Sequence, residues 1–275
     1  MRAVGPPSIV EKVVSEQDQA RDERDRDQYL VLKRIVVVMP AYNAARTLEL
    51  TYQNIPVEWV TKIILVDDAS HDETLEVARR LPLEVIRHHR NVGYGGNQKT
   101  CYTAALREGA DVVVMLHPDG QYDPNMLPGI VRPILRGEAD MVLGSRFLDP
   151  GGARAGGMPL YKYVSNRFLT TIESWVLGQH FSELHTGYRA YSRAFLETVP
   201  YLRNSNDFVF DTQVIAQAIN WRQRIVEVPV ATKYFPEASS ASFRQSIVYG
   251  LGTLATMGLL ALHRSRLFRS RLFRD

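Results

Sequence analysis

The sequence predicts an α/β protein: a mostly parallel sheet covered by helices on both faces, followed by an apolar and basic helical tail. Three observations carry this reading. Apolar, largely β-branched runs recur at residues 35–39, 63–66, 83–86, 112–116 and 141–143. Between them lie helix-patterned stretches at 45–53, 72–80, 96–108 and 125–136. The runs are continuous rather than alternating, which marks strands buried on both faces by crossover helices. A chain of 275 residues, 45% hydrophobic and 23% charged, can bury one large core.

The elements follow in order. Residues 1–30 read as a flexible charged arm, because 16–27 mixes charges with almost no apolar content and can bury no face. A single catalytic domain spans 31–235. Its first half holds the five apolar runs. After Arg146 the pattern changes to a glycine-rich loop at 149–159, a helix at 160–177, an extended stretch at 184–191, a helix at 211–220 and a strand at 224–230. Residues 236–275 form the tail. Within it, 247–262 are uncharged; as a helix they would extend about 24 Å, short of the roughly 30 Å of a hydrocarbon core. A pentapeptide, Ser-Arg-Leu-Phe-Arg, then occurs twice in succession, at 265–269 and 270–274. Leu-Phe pairs among arginines have the composition of an interfacial membrane anchor; the plainer alternative is a docking helix. The small residues of 250–258 would permit close packing between copies of the chain.

Composition excludes several classes. One cysteine, Cys101, excludes an intrachain disulfide framework and a cysteine-rich zinc site. The net charge of +3 comes from five arginines in the last thirteen residues, so no basic nucleic-acid groove is expected across the body. The start of the chain lacks a secretory pattern, which points to the cytoplasm, with the tail peripheral at the inner face of the membrane.

Ligands of parallel sheets bind at the carboxyl ends of the strands, so the polar residues after each apolar run are the candidates. Pro40, Tyr42 and Asn43 follow the first. Asp67 and Asp68 end the second; one carboxylate there can accept from a ribose or base, while Ser70 and Glu73 fit a capping box. Gly93 to Thr100 nearly matches a phosphate-binding loop, but Gln98 stands where a second glycine is required. A glycine-rich helix start beside a nucleotide remains, with Gly93 and Lys99 near it. His117, Asp119 and Gln121 follow the fourth run, and alternation points all three one way if the segment is extended. Together they could hold a divalent ion, with histidine favouring manganese over magnesium. His88 and His89 read as solvated. Trp59, Trp175 and Trp221 read as core or lipid-facing.

In order and spacing, Val36–Asn43, Val66–Ser70, Asn91–Gly93, Asp119–Gln121, Gly144–Arg146 and Thr186–Arg189 resemble family-two glycosyltransferases of the GT-A fold. The likeness is greatest to dolichol-phosphate mannosyltransferases and bacterial polyprenyl-phosphate glycosyltransferases, and spans about 33–235. The resemblance implies that Pro40, Tyr42 and Asp67 or Asp68 hold the nucleotide. It implies that Asp119 and Gln121, with His117, form the site of a Mn²⁺ or Mg²⁺ cofactor. Arg146 matches a phosphate contact, and Lys162, Ser165, Thr186 and Arg189 fall near further phosphate or acceptor contacts. Asp211 lies where relatives carry an acid near the acceptor, and Glu183 stands in place of another. Three positions depart from the family: Ala44 for a glutamate, His117 for the first metal-motif acid and Glu183 for an aspartate.

The implied reaction is inverting transfer of a sugar from a nucleoside-diphosphate sugar to a polyprenyl phosphate. An acceptor phosphate is already nucleophilic at neutral pH. A sugar-hydroxyl acceptor is the alternative and needs a base, for which Asp211, Asp207 and Glu183 are candidates. A non-catalytic nucleotide-sugar-binding scaffold is the third reading, resting on His117 and Ala44.

Overall fold

A computed structural model describes residues 33–149, 151–233 and 243–274. The charged arm expected at 1–30 lies outside the described residues. Seven strands form one sheet: β1 (Ile35–Ala41), β2 (Lys62–Asp67), β3 (Glu84–Arg87), β4 (Val112–Met115), β5 (Met141–Ser145), β6 (Arg189–Ser192) and β7 (Ile225–Pro229). Their spatial order is β3-β2-β1-β4-β6-β5-β7. Five helices cross between or pack on them: α1 (Leu48–Gln53), α2 (Thr74–Ala78), α3 (Tyr94–Arg107), α4 (Leu127–Leu135) and the short α5 (Gly152–Ala155). Then come α6 (Leu160–Leu177), α7 (Arg193–Thr198), α8 (Phe210–Asn220) and α9 (Phe243–Arg264).

The five expected strands are present; four have side chains apolar and buried on both faces, while the edge strand β3, Glu84–Arg87, is only partly buried. Ile35 to Met39, Ile64 to Val66 and Val113 to Leu116 are sealed from solvent at almost every position. Each fully buried aliphatic side chain contributes roughly 1.5–3 kcal/mol of transfer free energy. Helix α3 packs on β1 and β2, and α4 packs on β4, β5 and β6. Ser70 does not complete a capping box: its Oγ accepts from the Asn43 amide at 2.9 Å, and Asp72 Oδ1 accepts from the Thr74 amide at 3.0 Å, just before α2.

Strand β6 departs from the parallel plan. It runs antiparallel to both β4 and β5, with Arg189 opposite Met115 and Leu143. Its first residue therefore lies at its neighbours' carboxyl ends, so the preceding Thr186 and Gly187 reach the sheet edge where His117 to Gln121 emerge.

That edge is built from tight turns. The connections after β1, β2, β3 and β4 each pass through a left-handed residue: Asn43 (φ 53°), Ala69 (φ 58°), Gly93 (φ 90°) and Gly120 (φ 70°). Ala69 alone has neither a glycine's freedom nor an asparagine's tolerance of this region.

Helix α9 is longer than the sequence indicates, 22 residues or about 33 Å. Its 245–264 stretch is long and apolar enough to cross a membrane, with mean hydropathy 1.4. One face nevertheless docks on α6 and α8, burying Thr253, Thr256, Met257 and Leu260. Polar contacts fix it: Tyr249 Oη lies 2.7 Å from His185 Nδ1, and Thr253 Oγ1 lies 3.2 Å from Thr212 Oγ1.

Replacing Ala69 by glycine should stabilise the protein by about 0.5–1 kcal/mol, since strain removed exceeds chain entropy added. Thermal unfolding of the variant should show a midpoint higher by roughly 1–4 °C.

Candidate active site

The edge begins with Tyr42, 47% exposed after β1 and edge-on to His71 at 6.4 Å. Asn43 holds two loops together; its amide donates to Ser70, and its Oδ1 accepts from the His71 amide at 2.9 Å. Pro40 and Ala41 lie in register with Val66 and Asp67 at the ends of β1 and β2.

The adjacent aspartates have different duties. Asp68 accepts from His88 Nδ1 at 2.7 Å and from the Val92 and Gly93 amides at 2.9 and 3.1 Å. It clamps the loop after β3. Among the described residues, Asp67 accepts from the Ser70 amide alone, 3.3 Å from both oxygens, with Arg87 Nε at 3.9 Å. Its capacity to accept from a ligand is greater. His88 is not solvated as expected: its two nitrogens bridge Asp68 and Thr100 Oγ1.

The glycine-rich helix start is engaged by another segment of the protein. A Cβ on Gly93 would meet the Asn206 carbonyl oxygen at 2.7 Å, and one on Gly95 would meet Ser205 and Phe210 at 2.6 Å. The Gly95 amide donates to the Asn206 carbonyl at 2.7 Å. Lys99 Nζ is held by the Asn204 carbonyl at 2.5 Å and Asn206 Oδ1 at 2.8 Å. These glycines admit the 204–210 segment, and Lys99 fastens it; Gly93 and Lys99, expected beside a nucleotide, have these internal contacts.

His117 leaves β4 and packs between two residues. Its ring stacks on Tyr94 at 5.4 Å and 8°, and it fits only because position 187 is glycine: a Cβ there would lie 2.7 Å from the imidazole Cδ2. Tyr94 Oη donates to Asp211 Oδ2 at 2.8 Å and lies 3.3 Å from His117 Nε2. Since the phenol proton goes to Asp211, the phenol oxygen accepts from Nε2–H, and Nδ1 keeps its lone pair. Burial lowers the His117 pKa, and Arg189 lowers it further; Asp119 and Asp211 only partly oppose this. The ring is neutral at pH 7. Its depressed pKa leaves stability intact above the ordinary histidine range and erodes it as acid forces a proton on.

Asp119 shows the reverse. Burial raises its pKa, against His117 and the Gln121 amide, which donates to Oδ1 at 3.0 Å. A carboxylate costly to ionise alone is one a cation would favour, and carboxylate, amide carbonyl and imidazole are donors that suit Mn²⁺ or Mg²⁺. Among the described residues no three His, Cys, Asp or Glu side chains converge on one point. Asp119, Gln121 and His117 carry the donor types that such a cation takes.

Two buried ion pairs frame the acceptor side. Asp211 Oδ1 accepts from Gln98 Nε2 at 3.1 Å and faces Arg189 Nη1 at 3.1 Å. Arg189 is 1% exposed, and its Nε donates to the Thr186 carbonyl at 2.7 Å. Burial works against its charge, but Asp211 and nearby tyrosines more than offset this and raise its pKa. Thr186 is buried too, its hydroxyl 3.4 Å from Tyr122 Oη. Both side chains, expected near an acceptor phosphate, are buried and have internal partners.

Glu183, fully buried, accepts from the Arg146 amide at 2.8 Å, from Arg146 Nε at 2.9 and 3.0 Å, from its Nη2, and from Asn166 Nδ2 at 2.8 Å. Its carboxylate is saturated by these donors, which counts against the role of base expected of it. Arg146 is thereby aimed, and its Nη2 also donates to the His185 carbonyl at 2.9 Å. Lys162 lies half-buried nearby; burial lowers its pKa first, and the Arg146 charge lowers it further. Ser165, one turn along α6, is exposed.

Sequence reasoning missed Tyr94, Gln98 and Tyr122. Tyr102 Oη donates to Gln98 Oε1 at 2.7 Å, so the network extends from His117 through Asp211 into the core. The one available signal was Gln98 itself, a polar residue where a phosphate loop would need glycine.

Comparison with known proteins matches residues 36–199 to the family described as "Glycosyl transferase family 2". The match covers more than half of the chain, so the chain belongs to this family and is a glycosyltransferase. Among relatives, the Methanococcus voltae UDP-N-acetylglucosamine–dolichyl-phosphate N-acetylglucosaminyltransferase is 28% identical over 74% of this chain and 86% of its own length. The polyprenol monophosphomannose synthase of Mycolicibacterium smegmatis is 29% identical over 72% of this chain and 77% of its own. The fold is GT-A. Glucosyl-3-phosphoglycerate synthase from Mycobacterium tuberculosis superposes with a TM-score of 0.66 at 18% identity, over 86% of this chain and 83% of its own. That structure was solved with Mn²⁺, UDP-glucose and glycerol 3-phosphate.

Asp119→Asn should reduce transfer on the order of 10²–10³-fold. Its raised pKa means ionisation at pH 7 opposes folding, so the same variant should melt slightly above the parent in chelator. Asp211→Asn should destabilise by about 3–5 kcal/mol, by leaving Arg189 buried without a counter-charge. Denaturant titration measures this directly.

Proposed function

We propose that the enzyme transfers a sugar, with inversion, from a nucleoside-diphosphate sugar to a polyprenyl phosphate at a membrane surface. One observation carries the acceptor assignment. Lys162 lies in the first turn of α6, close enough to the Glu183-paired Arg146 to feel its charge, and the same helix exposes Leu160, Tyr161, Val164 and Phe168. An anion is a fitting ligand beside these basic groups, and an apolar chain covers the exposed stripe. A lipid phosphate supplies both. The named acceptors of the two relatives, dolichyl phosphate and polyprenol, agree with this reading.

The residues divide the work. Asp67 accepts from the nucleoside, and Tyr42 with His71 offers a surface against the base. Asp119 with Gln121, and Nδ1 of His117, would hold Mn²⁺ or Mg²⁺. When bound, the cation neutralises charge on the departing diphosphate. Arg146 and Lys162 orient the acceptor phosphate, which attacks the anomeric carbon opposite the leaving group, so the centre inverts. A phosphate with its second pKa near 6 needs no base. This suits the site, since Glu183 and Asp211 are committed to Arg146 and Arg189. Of the three candidate bases only Asp207 is exposed, which keeps a sugar hydroxyl as the competing acceptor. Exposed Ile247, Val248 and Leu251 of α9 continue the apolar surface and support peripheral membrane contact.

Incubation with UDP- and GDP-sugars, Mn²⁺ and either a polyprenyl phosphate or an oligosaccharide tests the proposal. The expected product is a glycosyl phospholipid. Lys162→Gln should raise KM for the lipid phosphate roughly 10–100-fold, the loss of a charge-assisted contact, with donor affinity unchanged. Transfer only to the oligosaccharide, abolished by Asp207→Asn, would replace this reading with hydroxyl transfer.

A further inference from the structure

The two identical pentapeptides at the end of the chain have opposite fates. In the second, Phe273 is 2% exposed, and its ring lies 5.8 Å from His263. The Leu272 and Phe273 carbonyls accept from Gln217 Nε2 and Asn220 Nδ2, each at 3.0 Å. Arg203 Nη1 donates to the Arg274 carbonyl at 2.5 Å. This copy is a latch on α8. In the first copy the same two apolar residues face outward: Leu267 is 79% exposed and Phe268 52%.

The outward copy is held in place. Arg266 takes a left-handed conformation (φ 62°), its amide donating to the His263 carbonyl at 3.1 Å, and the Phe268 amide reaches back to the Leu262 carbonyl at 3.2 Å. Arg264 Nη1 donates to the Val176 carbonyl at 2.9 Å, tying the loop to the end of α6. Next to that point is Trp175, 85% exposed. The exposed arginines 266, 269 and 271 surround the apolar pair, and no acid occurs anywhere in 243–274.

We propose that Leu267 and Phe268, with Trp175, form an insertion knob that seats the protein on an anionic phospholipid bilayer. The inference goes beyond the acceptor assignment, since it concerns bulk lipid and holds for a bilayer containing no polyprenyl phosphate. The chemistry selects this occupant. Apolar side chains enter the acyl boundary, tryptophan favours the headgroup level, and arginines pair with anionic headgroups. A second copy of the chain fits poorly, because an isologous contact would bring arginine against arginine.

Vesicle flotation of the full chain tests this, with vesicles of phosphatidylcholine alone or mixed equally with phosphatidylglycerol. Binding to the mixed vesicles is expected, weakening as salt is raised, with a blue shift in tryptophan emission that Trp175→Phe removes. Leu267→Ser with Phe268→Ser should weaken binding on the order of tenfold or more while the melting temperature stays unchanged. The same pair of changes in the second copy, Leu272→Ser with Phe273→Ser, should instead lower the melting temperature. Wild-type binding by the first double variant overturns the proposal. So does equal binding to both vesicle types, or a change of oligomeric state in place of a change in vesicle binding. Transfer to a short, water-soluble polyprenyl phosphate is assayed in parallel. Loss of that activity in the parent protein would count against the acceptor assignment and leave the vesicle result standing.

Discussion

The Arg189–Asp211 ion pair is the constraint on which the active-site edge depends. Moving both charges out of water is costly, and hydrogen bonds to the pair offset part of that cost. They come from separate elements: Tyr94 and Gln98 from α3, the Thr186 carbonyl before β6, and Asp211 itself at the start of α8. Tyr94 then passes the order on to His117 after β4. One buried charge pair thus fixes the relative positions of four segments that a sheet and its helices alone would hold only loosely. It also accounts for β6 running against its neighbours, because only that direction delivers Arg189 to the carboxyl edge.

The acids around the site fall into two groups by what surrounds them. Asp68, Glu183 and Asp211 are saturated by internal donors; Glu227, which accepts from the Ser182 and Glu183 amides, belongs with them. Asp67 and Asp119 retain capacity. A saturated carboxylate is architecture, because any ligand must displace a bond already made. An under-used buried carboxylate is a cost that a ligand can remove. The distinction separates framework from chemistry without reference to motif membership.

It also shows what was legible in the sequence. The strands were legible because burial on both faces leaves an unbroken apolar run, and the edge was legible because polar residues must follow where such strands end. The direction of β6 was not, since four residues, Arg189–Ser192, carry too little pattern to show a partner on each side. Nor were the saturating contacts. Lys99 meets Asn204 and Asn206, and Arg146 meets Glu183, across stretches of chain whose spacing is set by the fold rather than by local propensity. Hence Gly93, Lys99, Thr186 and Arg189 read as ligand contacts and Glu183 as a catalytic acid, while the structure gives each of them internal partners. His88 was missed for the same reason in reverse: its strand end reads as basic and solvated, yet Asp68 and Thr100 enclose it.

The doubled pentapeptide has a consequence for how the tail could change. Its two units are indistinguishable as sequence, so deleting either one yields the same shortened chain. That chain keeps a single Leu-Phe pair, which can seal the groove beside α8 or face outward but cannot do both. What is inherited as useful is therefore the duplication itself. A point change in one unit divides the labour permanently, whereas loss of a unit forces a choice between cohesion and contact.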